Sequence, residues 1–179
     1  TTQQQWQPWV DWLSKQFPDD DFSLVALNSE DCKNSLQSHK LDFVIDQPVQ
    51  LALLPQQMPT HWLASVEHNA SHNLSGDEVG SAVWVRQDSP LHSLADLKGQ
   101  RVAAVSEHTF GGYLAAMAVL QQHGVRADDL EMVFSEYPVA NTLDLLQNQQ
   151  VDAAITPLCL MEQLQHSGRT DATTFRLLS

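Results

Sequence analysis

Residues 100–125 read QRVAAVSEHTFGGYLAAMAVLQQHGV. Four consecutive apolar residues, Val102 to Val105, fit a strand buried on both faces, as in a parallel sheet covered by helices. The run from Leu114 to Leu120 then has the density of a packed helix, and Gly124 supplies its stop. Between them SEHTFGGY (106–113) carries two hydroxyls and two adjacent glycines. Glycine there can ease a tight strand-to-helix turn. The same residues can instead leave the N–H groups of a helix start open to a ligand. The unit is strand, turn, helix, and it sets the period by which the rest of the chain is read.

Outward from it, short apolar runs alternate with helical patterns. Trp6, Trp9, Val10, Leu13 and Phe17 recur at helical spacing, with Pro8 expected in the first turn and Pro18 ending the helix. Phe22–Leu27 predicts a strand, a helix capped by Asn28 or Ser29 runs to about His39, and Asp42–Ile45 predicts another strand. Further strands are expected at Trp62–Val66, Val79–Val85, Leu130–Phe134, Asp152–Ile155 and Phe175–Leu178. Helices are expected near 140–148 and 157–166. Such alternation is the signature of parallel α/β units. It falls into two blocks, read as a first α/β lobe over 1–80, a connecting strand or hinge over 81–87, and a second α/β lobe over 88–179. Ligands of such sheets sit beyond the carboxyl ends of the strands.

Composition excludes several classes. Nine Lys and Arg against 22 Asp and Glu give a net charge of −13, unsuited to a nucleic-acid phosphate backbone. No apolar run is long enough to cross a membrane. The two cysteines, Cys32 and Cys159, stand far apart without a metal-ligand pattern and are expected to pack on helices. His68 and His72 have a spacing that could bring two imidazoles together, but EHNASHNLSGDE (67–78) reads as a polar loop. No nucleophile elbow, phosphate-binding loop or zinc-protease motif is present. The expectation is a domain that is not an enzyme and uses no cofactor or metal.

The succession SPLHSLADLKGQRVAAVSEHTFGGYLAAMAVLQQHGV (89–125), VFSEYP (133–138) and LDLLQNQQVDAAITP (143–157) resembles the periplasmic phosphonate-binding-protein family. WQPWVDWLSKQFPDDDFSLVALN (6–28) and KLDFVIDQP (40–48) are similar to that family's first lobe. Within the family, FGGY and WQPWVDWL are most similar to sensor domains of histidine kinases of the tetrathionate-sensing type. The resemblance implies an α/β, two-lobed periplasmic binding protein type 2 fold with its ligand in an interlobe cleft. It also implies that the family's first strand and C-terminal return segment lie outside residues 1–179.

What the resemblance supports for a site is a cradle of Ser106, Thr109, Gly111 and Gly112, with Phe110 lining the pocket beside it. Asp46, Gln47 and Pro48 would face the cleft from the first lobe, and Thr156 from the second. Each has a plain alternative. Ser106 and Thr109 read equally as helix caps, Phe110 as an inward-packing ring, and Asp46 as a helix cap within a turn. Where the sensors often carry His-Asp after the YP dipeptide, this chain has Val139-Ala140. Where they place an Arg after the VDA strand, it has Thr156-Pro157. The functional expectation is a periplasmic domain of an inner-membrane histidine kinase that senses an unknown small molecule, with a response regulator downstream. The alternatives are a transporter's solute-binding protein for a small anion such as a phosphonate, and an interaction module that binds no ligand.

Overall fold

In the computed structural model, residues 2–52, 61–64, 80–168 and 173–178 are described. His68 and His72 lie outside them. The chain divides into two compact units, Thr1–Asp46 with Leu54–Pro59 and Gln47–Leu53 with Thr60–Ser179.

Unit 1 opens with helix α1, Thr2–Gln16. Glutamine is a good helix former, so the polar start joins the helix and Pro8 lies inside it rather than in its first turn. Val10 is buried, Trp6 and Trp9 meet edge-to-face at 6.2 Å, and the Gln7 amide donates to Asp11 Oδ1 at 2.9 Å, one turn on. Helix α2, Ser29–Gln37, is capped as its sequence predicts: Asn28 Oδ1 accepts the Asp31 amide at 2.8 Å.

The strands expected at Phe22–Leu27 and Asp42–Ile45 are not formed; both segments are irregular, and Val25, Leu27, Phe43 and Ile45 are exposed. A strand is a paired object, stabilised by cross-strand neighbours rather than by its own composition. The Trp62–Val66 expectation fails over its described part for the same reason, since residues 61–64 join no ladder.

Unit 2 contains the short helix α3, Pro48–Ala52, and a five-stranded sheet. Its strands are β1 Ser81–Arg86, β2 Arg101–Ala104, β3 Glu131–Phe134, β4 Ala153–Pro157 and β5 Phe175–Leu177, in the order β3-β2-β4-β1-β5. Strand β2 runs parallel to β3 and β4, whereas β1 is antiparallel to both β4 and β5. The sheet is therefore mixed, not wholly parallel. Residues 81–86, read from sequence as a connector, form a strand inside it, with Ala82, Val83 and Val85 buried.

The two-residue period of the strands sorts their side chains between two cores. Val83, Val85, Val102, Ala104, Ala153 and Ile155 pack on one face with Leu97 and with Leu120 of helix α4, Ala115–Gln122. Ala103 and Ala154 face the other side, against Leu143 and Leu146 of α5, Asn141–Gln147, and Leu160 and Leu164 of α6, Leu160–His166. Gly124 takes φ +75° after α4, the left-handed stop its position predicts. Both cysteines are free. Cys32 is partly buried, but Cys159 is exposed just before α6 and does not pack as expected.

Strands β2 and β4 are tied at their starts by Arg101, whose Nε donates to Asp152 Oδ2 at 3.0 Å and whose Nη2 donates to Oδ1 at 2.8 Å. This guanidinium holds the Asp152 carboxyl below its ordinary value against the opposing effect of burial. A depressed carboxylate contributes stability above its unfolded-state pKa and loses it as pH falls through the folded value. Asp152→Asn should therefore melt below the parent at neutral pH, and the gap should close on acidification below the ordinary carboxylate range. A gap unchanged with pH would show that the ion pair contributes nothing.

Candidate functional site

The carboxyl ends of β2, β3 and β4 lie along one edge of the unit 2 sheet, together with the start of β1. Strand β2 leaves it through a closed turn. The Thr109 amide and hydroxyl both donate to the Ser106 carbonyl, at 3.2 and 2.7 Å. The Ser106 amide donates to Thr109 Oγ1 at 3.4 Å, and the His108 amide donates to Ser106 Oγ at the same distance. Thr109 is only 3% exposed and makes no side-chain cap to the helix that follows. Its hydroxyl closes the turn behind it, so the capping expectation for Thr109 is corrected. Thr109→Ala should cost about 1 kcal/mol by removing that bond, read as a shift in the denaturation midpoint; an unchanged midpoint would deny the hydroxyl this role.

Phe110–Leu114 then makes one wide turn of π type, a feature often found at functional sites. The Leu114 amide reaches back to the Thr109 carbonyl at 3.0 Å, and the Ala115 amide to that of Phe110. The amides of Phe110 to Tyr113 precede these bonds, as at any helix start.

Each glycine has a packing cause. A Cβ on Gly111 would lie 3.1 Å from the Gly80 carbonyl oxygen and 3.4 Å from Pro157 Cβ. The Gly111 carbonyl accepts the Ser81 hydroxyl at 2.6 Å, fastening the turn to β1. A Cβ on Gly112 would lie 2.7 Å from Val105 Cγ2 and 2.8 Å from Thr109 Oγ1. The helix start is pressed onto its own strand at Gly112, where a Cβ has no room, and Gly111 packs closely against Gly80 and Pro157.

At the neighbouring strand end, the Ser135 and Glu136 amides donate to the Ala104 and Val105 carbonyls, both at 2.9 Å. This carries β3 into the turn that presents Tyr137, 57% exposed. Gln47 Nε2 donates to the Tyr137 hydroxyl at 2.7 Å. Tyr113 meets Phe134 edge-on at 5.5 Å, while Phe110 is 43% exposed rather than packed inward. Burial, and secondarily Glu107, raises the Tyr113 phenol above its ordinary value, so it remains a protonated donor at neutral pH.

Thr156 is wholly buried. Its hydroxyl accepts the Trp84 indole N–H at 3.0 Å and donates to the Pro157 carbonyl at 3.1 Å. Val139 and Ala140 are partly buried against the second core. Of the residues named from sequence, Ser106, Thr109, Phe110, Gly111, Gly112 and Gln47 gather at this edge. Thr156 is absorbed into the sheet, Pro48 begins α3, and exposed Asp46 belongs to unit 1. Tyr137, Phe134 and Ser81 were missed; the YP dipeptide was the available signal for the first.

An open depression of about 450 Å³, lined by Arg86, Gln87, Asp88, Gln147, Thr173 and Thr174, lies at the opposite edge and has no part in this arrangement. Among the described residues no group of three His, Cys, Asp or Glu side chains could hold a metal, and no helix is long and apolar enough to cross a membrane.

Comparison with known proteins places this geometry. The family described as "ABC transporter, phosphonate, periplasmic substrate-binding protein" matches residues 1–179. The tetrathionate sensor histidine kinase TtrS of Salmonella typhimurium is 30% identical over 176 residues, covering 98% of this chain and 30% of that protein. PhnD1 of Prochlorococcus marinus, solved with methylphosphonate, superposes with a TM-score of 0.80 at 20% identity, over 99% of this chain and 66% of that one. The Xanthomonas citri protein XAC2383, solved with ATP, gives a TM-score of 0.72 at 20% identity, over 98% of this chain and 67% of that one. At such identities the two solved structures establish the fold alone. With the family matched over the whole chain, the protein belongs to the phosphonate-type periplasmic substrate-binding proteins and is a periplasmic ligand-binding domain of the type 2 periplasmic fold.

Proposed function

We propose that the chain is the ligand-sensing domain of a membrane histidine kinase and takes a small molecule at the carboxyl edge of the unit 2 sheet. The observation that carries this reading is 30% identity to a sensor kinase over 98% of the chain. The edge supports it, with a helix start, an exposed aromatic ring and the Gln47–Tyr137 bond at the ends of neighbouring strands. A ligand that binds one conformation of the domain better than another shifts that equilibrium, which is how binding becomes a signal to a kinase.

Fractionation tests the assignment. An antibody to this domain should detect it in the membrane fraction, in a polypeptide much longer than 179 residues. A free periplasmic protein would instead favour a transporter's solute-binding component, the second reading, which the family description supports.

The ligand is expected to differ from tetrathionate. By the resemblance, Val139-Ala140 and Thr156-Pro157 stand where sensors carry groups suited to an oxyanion, and here the first pair is partly buried against the second core and the Thr156 hydroxyl is already engaged. Calorimetry should give a tetrathionate Kd weaker than about 1 mM, above about −4 kcal/mol. A micromolar value would refute this expectation.

A further inference from the structure

The helix start at the carboxyl edge presents the amides of Phe110, Gly111, Gly112 and Tyr113 ahead of the first bonds of the π turn. In a trans peptide the C=O and N–H share one plane and point opposite ways. Each of these N–H groups is therefore aimed by whatever holds the carbonyl of the residue before it. The Thr109 carbonyl accepts the Leu114 amide at 3.0 Å and so aims the Phe110 N–H. The Phe110 carbonyl accepts the Ala115 amide and aims that of Gly111. The Gly112 carbonyl accepts the Val105 amide at 3.3 Å and aims that of Tyr113. Backbone groups hold these three. The Gly111 carbonyl, which aims the Gly112 N–H, accepts a side chain: the hydroxyl of Ser81, first residue of β1, at 2.6 Å. This peptide joins two glycines, so it has the least conformational restraint of its own.

Resting on the reading that this edge is the binding site, we propose that Ser81 is a positioning residue for it, fixing the Gly112 N–H, through the Gly111 carbonyl, as a preorganised donor to an acceptor atom of the ligand. Ser81 acts without touching the ligand. Its own place is secured, because it stands opposite Pro157 in the β1–β4 ladder and the preceding Gly80 carbonyl accepts the Leu158 amide at 3.0 Å. A donor already held in place does not have to be ordered when the ligand arrives. Hydrogen bonds in a chain polarise one another. An acceptor on the Gly112 N–H therefore strengthens the Ser81 bond in return, and occupancy of the edge is felt at β1.

Backbone amide NMR on the 179-residue chain and on three variants tests this. Ser81→Ala removes the hydroxyl, while Ser81→Thr and Ser81→Val keep and lack it at nearly equal shape. Without any ligand, Ser81→Ala and Ser81→Val should shift the Gly112 amide more than those of Phe110, Gly111 and Tyr113, and Ser81→Thr should leave it near its parent position. Methylphosphonate and acetate, titrated separately, then probe the edge. Whichever gives saturable shifts at residues 106–113 should bind about tenfold more weakly after Ser81→Ala or Ser81→Val. Ser81→Thr should bind it about as well as the parent. Lowered stability with unchanged affinity would make the Ser81 bond purely structural and overturn the proposal, leaving the site in place. A Gly112 amide that moves no more than its neighbours would do the same. If neither probe moves residues 106–113 of the parent through the millimolar range, the site reading fails and the role of Ser81 with it.

Discussion

Gly112→Ala should lower the stability of unit 2 by about 2–3 kcal/mol, a large loss for the addition of one methyl group. The added Cβ would sit 2.7 and 2.9 Å from the Cγ2 and Cβ of Val105 and 2.8 Å from Thr109 Oγ1. Neither neighbour can yield easily. Val105 is wholly buried, and the Thr109 hydroxyl is committed to the turn. Gly112→Val should be worse, so a valine intended only to obstruct a ligand would damage the fold first. A double-mutant cycle identifies the cause: Val105→Ala removes the crowding atom, so Gly112→Ala should cost clearly less in that background. Equal costs in the two backgrounds, by chemical denaturation, would show that the clash with Val105 is not responsible.

Leu120→Ala should cost about 3 kcal/mol, because a fully buried leucine leaves both its transfer energy and a cavity behind. Leu120 is 0% exposed on the face of α4 that covers the sheet. Its neighbour Val119 is 44% exposed on the same helix, and Val119→Ala should change stability by no more than about 0.5 kcal/mol. The contrast separates burial from helix propensity, since both substitutions put alanine in one helix. Similar losses at the two positions would mean that α4 does not pack as described.

Unit 2 was largely readable from its residues. The runs at 102–105, 130–134 and 152–155 became β2, β3 and β4, and the Leu114–Leu120 pattern became α4. These signals are local, because a run of buried apolar residues or a helical repeat is written within one window of sequence. The candidate site was legible in part. SEHTFGGY was singled out, but the turning of the Thr109 hydroxyl back to Ser106, the pressing of Gly112 onto Val105 and the pairing of Gln47 with Tyr137 join atoms whose approach depends on the folded chain. Thr156 misled because its place after a strand shows neither that its side chain is buried nor that the Trp84 indole already occupies it.

By itself the sequence determined the class of fold in unit 2, the alternation of strand and helix, the caps at Asn28 and Gly124, and the negative charge that disfavours nucleic acid. Each follows from residue type and near neighbours. Tertiary structure alone decided that β1 runs antiparallel within the sheet, and that Phe22–Leu27 and Asp42–Ile45 remain irregular. It also brought Phe110, Tyr113, Phe134 and Tyr137 to one edge of the unit 2 sheet. Strand direction, pairing and ring placement depend on which distant segments become neighbours, and no local pattern of residues encodes that.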